Sequence, residues 1–317
     1  MFLDSVIIVL GFVGLIWGAD KFVFGTSALA RNIGVSPLVI GLTIVSFGTS
    51  APEIFSSAFA ALNGNPELAI GNALGSNLFN IGVALGVAAI ISPLKPPKSL
   101  LNKEIPALLL VTVITGLLLA DLYLDVFDAV ILILITFYFG YKLFKSKGRT
   151  GTVPGIDDDN LLHVTNARAI SYLLLGLILL VLSAEALVAA ATSIAESLEV
   201  SSAIIGLTIV ALGTSLPELA ASVTCVLKGH HDLAIGNIIG SNIINFLAVL
   251  PFPGLFSPGP VETQLLYRDY ISVLILTALL AFFCYRAIKK NARIGRFYGF
   301  VFLSMYCAWF TVMIVWI

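Results

Sequence analysis

The chain has 317 residues, of which 59% are hydrophobic and only 11% charged, with a formal net charge of −1. Soluble domains average about 25% charged residues, so the composition excludes an ordinary soluble enzyme. It also excludes a nucleic-acid binder, because the basic residues sit at helix ends and form no basic domain.

Ten apolar runs long enough to cross a bilayer, about 17 to 25 residues each, are predicted near 3–30, 36–62, 67–91, 104–120, 126–144, 168–195, 202–227, 232–255, 268–287 and 296–317. Runs such as VILILITFYF lack the alternation of a lipid-facing barrel strand. The expected fold is therefore an all-α integral membrane protein. The first run follows Asp4, with no basic residue before it and no small-residue cleavage pattern after it, and is expected to stay in the mature chain. It also carries Asp20 and Lys21, which align with Glu185 of the sixth run in the repeat described below. A structural or gating role is expected for these three.

The second run contains GTSAPE at 48–53 and the seventh GTSLPE at 213–218. Proline within a helix has no N–H for the carbonyl four residues back and opens that turn, so breaks are predicted at Pro52 and Pro217. Freed backbone groups survive at membrane depth only inside protein or along a watery cavity. Beside the breaks stand Thr49, Ser50 and Glu53, and Thr214, Ser215 and Glu218. All are oxygen donors, a set suited to sodium, calcium or magnesium rather than zinc or copper. On the third run Asn72, Ser76 and Asn80 share one face, as do Asn237, Ser241 and Asn245 on the eighth. For Asn72, Asn77, Asn237 and Asn242, hydrogen bonding between helices and cation ligation both stay open. GNALGS and GNIIGS place glycines four apart, the spacing that lets membrane helices approach closely.

The longest connection holds KSKGRTGTVPGIDDDN, with Asp157, Asp158 and Asp159, and reads as a solvated linker rather than a calcium loop. His163, His230 and His231 fall in loops and need no metal role. Cys225, Cys284 and Cys307 lack the spacing of a zinc site or a disulfide framework and are expected to pack.

Residues 11–81 align without a gap on 176–246, most densely where IGLTIVSFGTSAPE meets IGLTIVALGTSLPE and LAIGNALGSNLFN meets LAIGNIIGSNIIN. Three domains follow: a first five-helix repeat over 1–145 with its motif at 40–81, a linker over 146–167, and a second repeat over 168–317 with its motif at 205–246. Fifteen of the 17 Lys and Arg fall in odd-numbered loops. The positive-inside rule then puts those loops and the linker in the cytoplasm and both termini outside. Five helices per repeat, an odd number, make the two copies inverted, and inverted repeats with broken helices mark secondary transporters whose site lies at the bilayer midplane.

An ionisable group at mid-membrane is costly and functional by default. If Glu53 and Glu218 sit about 6 Å apart at an effective dielectric of about 20, their repulsion is about 3 kcal/mol. Such a pair favours a cation or a proton, and one divalent ion neutralises both. The expectation is an exchanger in which only the neutralised site crosses between inward- and outward-open states. A channel would lack such gradient-driven exchange, and an intramembrane enzyme using the two glutamates as acid and base would need a nucleophile with a base partner, which the sequence does not offer.

At these residues the sequence resembles the cation/calcium exchanger superfamily, in its prokaryotic sodium/calcium exchanger-like branch, over the whole chain. The resemblance implies an alternating-access antiporter of the plasma (inner) membrane in which two helices slide over a bundle of eight. It implies calcium and sodium as transported ions, no cofactor and no obligate protein partner beyond the bilayer. Cation ligands would be Thr49, Ser50, Glu53, Ser76 and Asn80, then Thr214, Ser215, Glu218 and Ser241, with the backbone carbonyls of Ser46 and Ala211. Asn245 mirrors Asn80 where some members carry an aspartate; it joins the candidate set as a neutral oxygen. Two firm negative charges remain, which fits one calcium, and protons or potassium are the alternative drivers.

Overall fold

A computed structural model of the chain describes residues 2–145, 164–199, 209 and 211–315. In chain order the helices are α1 (Phe2–Ile33), α2 (Pro37–Thr49 and Ala51–Leu62), α3 (Pro66–Ile91), α4 (Glu104–Leu118, after a short turn at Lys98–Leu101) and α5 (Val126–Lys145). Then come α6 (Asn166–Ser197), α7 (Ala211–Thr214 and Leu216–Leu227), α8 (His231–Phe256), α9 (Leu265–Lys289) and α10 (Arg296–Val315). Among the described residues α1, α3, α4 taken with its preceding turn (Lys98–Leu118), α6, α8, α9 and α10 are long and apolar enough to cross a membrane, and the bent α2 makes an eighth. The acidic triplet at 157–159, His163 and the first part of the predicted seventh run lie outside the described residues.

The outer helices turn apolar side chains outward, as a bilayer requires: Phe12, Ile16, Leu117, Phe137 and Phe297 are all at least half exposed. The central helices are different. In their most apolar stretches, 89% of α8 and 72% of α3 is buried, against 22% to 39% for the other unbroken spans.

The hairpins α2/α3 and α7/α8 turn at Gly64 and Gly229, whose φ of 75° and 78° is the left-handed conformation glycine adopts without strain. Asn65 N–H bonds back to Ala60 and His230 N–H to Cys225, the six-residue closure of a glycine helix stop. The first half of α2 packs on α8 and its second half on α3, so one broken helix serves both repeats.

A Cβ on Gly236 would stand 2.5 Å from the Leu38 carbonyl, and one on Gly240 2.8 Å from Leu42 Cα. The predicted close approach of GNIIGS is thus realised. Gly71 and Gly75 have no such close neighbour among the described residues.

The helices α1 and α6 lie against each other along their length. Their backbones meet at Gly18, Gly25 and Gly176: a Cβ on Gly18 would lie 2.9 Å from the Leu180 nitrogen, and one on Gly176 2.6 Å from Phe22 Cα. Small residues at such crossings allow van der Waals packing where lipid supplies no hydrophobic drive between helices. The segments Tyr123–Leu124 and Gly259–Pro260 pair antiparallel, and Leu94 bridges to Ile294.

Candidate functional site

Both predicted breaks are present and alike. Helix stops at Thr49 and resumes at Ala51, with Ser50 at φ −82°, ψ 5°. In the second motif Ser215 takes φ −91°, ψ 6° between Thr214 and Leu216. These are bridge-region values, set where Pro52 and Pro217 leave a turn without its donor, and they bend α2 by 46°.

Each break delivers a glutamate to the same place. Glu53 and Glu218 are 1% and 0% exposed, and Ser50, Ser215, Ser76, Ser241, Asn80 and Asn245 are equally buried. The motifs interlock: Ser50 Oγ donates to Glu218 Oε1 at 2.9 Å, and Ser215 Oγ donates to Glu53 Oε1 at 2.8 Å. Ser241 Oγ lies 3.4 Å from Glu218 Oε1. Ser76 Oγ lies 3.1 Å from Ser215 Oγ, so the third helix joins the same cluster.

Several oxygens in this cluster have no protein partner. Glu53 Oε2, Glu218 Oε2, Asn245 Oδ1 and both polar atoms of Asn80 are buried without a hydrogen bond. Buried polar groups are ordinarily satisfied, so orphaned acceptors from four helices, two of them carboxylate oxygens, fit a hard cation. No group of three or more His, Cys, Asp and Glu occurs among the described residues. The donor set is two carboxylates supplemented by hydroxyl and amide oxygens, as calcium and sodium accept and zinc does not.

The remaining candidates are placed as follows. Thr49 Oγ1 lies 3.2 Å from Asn237 Oδ1 and reaches back to the Val45 and Ser46 carbonyls. The Ser46 carbonyl also accepts Ser50 N–H at 2.9 Å. Thr214 is half-buried, and Ala211 opens the short helical turn that ends at Thr214.

Of the other asparagines, Asn72, Asn77 and Asn237 join helices. Asn72 donates to the Glu53 carbonyl and Ser57, Asn237 to Ser222, and Asn77 accepts from Asn245 Nδ2 at 3.0 Å. Asn242 bonds its own helix at Ile238. Asn245 thus spends its N–H on Asn77 and keeps Oδ1 for the cluster.

Sequence reasoning missed three features here. Helix α3 widens into a π turn at Asn80–Leu85 and α8 at Asn245–Val249, a distortion frequent at functional sites that the paired asparagines could have flagged. Helix α6 covers both breaks, with Leu177 over Gly48 and Val188 directly against Gly213. Asp20 pairs with Lys228 at the end of α7 (2.5 Å) as well as with Lys21 (3.3 Å), while Glu185 is exposed. Nothing local in the sequence marks partners so far apart.

Two broken-helix motifs thus meet at a buried carboxylate pair inside a bundle of apolar helices, and comparison with known proteins gives the class and the family. The sequence model described as "Sodium/calcium exchanger protein" matches residues 4–147 and 168–315, and the chain belongs to that family. It is 35% identical to the inner membrane protein YrbG of Escherichia coli (strain K12), over 99% of this chain and 97% of that one. It is 33% identical to the sodium/calcium exchanger MaX1 of Methanosarcina acetivorans, over 98% of both. Among solved structures it matches the sodium-calcium exchanger NCX_Mj with a TM-score of 0.84 and 34% identity, covering 97% of each chain. The protein is therefore an integral membrane cation antiporter of the sodium/calcium exchanger family, a transporter class and not a catalytic one.

Proposed function

We propose that this protein exchanges calcium for sodium by alternating access, with Glu53 and Glu218 sharing the calcium ion. The observation that carries the reading is the reciprocal bonding of Ser50 to Glu218 and Ser215 to Glu53, which makes one site of two motifs. The similarity to MaX1 and NCX_Mj supports sodium as the counter-ion.

In this reading calcium takes oxygens from both glutamates and from neutral donors among Thr49, Ser50, Ser76, Asn80, Thr214, Ser215, Ser241 and Asn245, with the Ser46 and Ala211 carbonyls completing the set. Calcium needs six to eight oxygens, so the set has donors to spare for sodium ions on either flank. The serine hydroxyls, which donate to the carboxylates, rotate to offer lone pairs when a cation arrives. A site holding two bare carboxylates resists passage through the apolar contact with α6, and a neutralised one does not. That difference couples the two ion flows.

Ten spans in two inverted repeats complete the reading. The 20-residue α5 is long enough to cross, and the seventh span is the apolar run predicted from the sequence at 202–227. Loop contacts support the count, because each joins loops of equal parity: Leu94 with Ile294, Leu124 with Gly259, and Asn32 with the Val164 carbonyl. The basic loops then face the cytoplasm and both termini lie outside, the α1/α6 pair being the element that slides.

The test is labelled-calcium uptake into reconstituted vesicles under a single imposed gradient of sodium, potassium or protons. Uptake driven by sodium is expected. Uptake that follows only potassium or protons would overturn the counter-ion, and fast calcium movement with no exchangeable cation opposite would overturn exchange itself.

A further inference from the structure

The alignment of 11–81 on 176–246 pairs Asn77 with Asn242 and Asn80 with Asn245. All four are buried. The stretch Pro66–Phe79 of α3 packs on the π turn Asn245–Val249 of α8, and His231–Ile244 of α8 packs on the π turn Asn80–Leu85 of α3. One side of this reciprocal crossing is bonded: Asn245 Nδ2 donates to Asn77 Oδ1 at 3.0 Å. Carried through the repeat, that bond becomes Asn80 Nδ2 donating to Asn242 Oδ1. Those two atoms are buried, and neither has a hydrogen-bond partner among the described residues. Buried polar groups are ordinarily satisfied, so a donor and its matching acceptor, both open at the equivalent place, mark a bond that this state leaves unmade.

Chemistry gives the bond a purpose. An asparagine amide turns either its oxygen or its NH2 toward a neighbour, and only the oxygen serves a cation. A carboxylate faces no such choice, since both of its ends are oxygens. With Asn77 holding Nδ2, Asn245 keeps Oδ1 for the cluster of Glu53 and Glu218, and that oxygen has no other partner among the described residues. Asn242 is prepared for the same work. Its Nδ2 donates to the Ile238 carbonyl of its own helix at 2.7 Å, which leaves Oδ1 to accept from a neighbour. Asn80, unheld, has both polar atoms open.

We propose that Asn77 and Asn242 are positioning residues of the transport site: each takes the amide N–H of the asparagine opposite, Asn245 or Asn80, and thereby turns an amide oxygen to the cation. The Asn77 bond is preformed. The Asn242 bond forms when calcium draws Asn80 Oδ1 toward Glu53 and Glu218. The proposal rests on Asn80 and Asn245 as calcium ligands, and its test separates the positioning role from that reading.

The test is calorimetric titration of the full-length protein in detergent with calcium, read as two double-mutant cycles. Asn245→Leu and Asn80→Leu remove the ligands, and each is expected to weaken calcium binding about tenfold. Asn77→Leu and Asn242→Leu are expected to cost about as much. Asn77→Leu should cost nothing further once Asn245→Leu is present, and Asn242→Leu nothing further on top of Asn80→Leu, because each acts only through its partner. Asn77→Asp, which keeps the accepting oxygen, should bind calcium no more weakly than the unmodified protein. Unchanged affinity in both Asn245→Leu and Asn80→Leu would overturn the ligand reading, and the proposal with it. Weakened binding there with unchanged affinity in Asn77→Leu, or losses that add in either pair, would overturn the positioning role alone. Where a variant fails to fold, a structure of the unmodified protein with calcium decides. Asn80 Nδ2 within about 3.2 Å of Asn242 Oδ1 is expected; calcium on both glutamates with Asn80 Nδ2 still unpartnered would overturn the proposal.

Discussion

Ser50 Oγ donates to Glu218 Oε1 at 2.9 Å across 168 residues of sequence. The contact unites the break of one repeat with the carboxylate of the other, and its twin from Ser215 to Glu53 closes the loop. Removing one of these hydroxyls takes a neutral oxygen from the site and leaves the carboxylate in place. Ser50→Ala and Ser215→Ala are each expected to weaken calcium binding about tenfold, the worth of one hydrogen bond or ligand of this kind. Isothermal calorimetry on the purified protein checks this, and unchanged affinity in both variants would remove the serines from the site.

Glu53→Gln and Glu218→Gln keep shape and burial but halve the negative charge. Each is expected to abolish exchange and to lose the rise in unfolding temperature that calcium gives the unmodified protein through mass action. Scanning fluorimetry with and without calcium reads both variants. A full calcium-dependent rise in either one would contradict the shared-carboxylate site.

A methyl group at Gly240 would meet Leu42 Cα and the Leu42 carbonyl at 2.8 Å, backbone that has no room to yield. Gly240→Ala should therefore destabilise by about 1 to 3 kcal/mol, the usual cost of overpacking. Gly140 on α5 faces open space, and Gly140→Ala should stabilise by up to about 1 kcal/mol through helix propensity. Unfolding midpoints of the two variants should move in opposite directions.

Val188 of α6 presses on Gly213 beside the second break. Gly213→Ala is expected to slow exchange by obstructing the movement of α6 while leaving all the charged ligands in place. Adding Val188→Ala makes room for the methyl and should restore the rate. Failure of the second change to rescue the first would mean that this contact does not govern the movement.

Much of the site was readable from residue order because the sequence of 11–81 recurs at 176–246 and writes each motif twice. The two Pro-bearing motifs, the glycine stops at Gly64 and Gly229 and the faces of α3 and α8 are all local signals, and the structure brings their polar residues together. The sequence could not show which repeat each residue would meet. Thr49 faces Asn237 and Asn245 faces Asn77, contacts fixed by the crossing of α2 over α8. The π turns at Asn80 and Asn245 escaped because a π turn differs from an α turn by one residue of backbone and leaves no periodic trace. The bond from Asp20 to Lys228 depends on how α1 leans on α7, which no local pattern encodes.

The most direct measurement of the shared site is a crystal structure grown with calcium. A single ion is expected within the calcium–oxygen range of about 2.3 to 2.6 Å from carboxylate oxygens of both Glu53 and Glu218, with Ser76, Asn80, Ser241 or Asn245 completing its shell. An ion bound to one glutamate alone, or bound away from both, would contradict it.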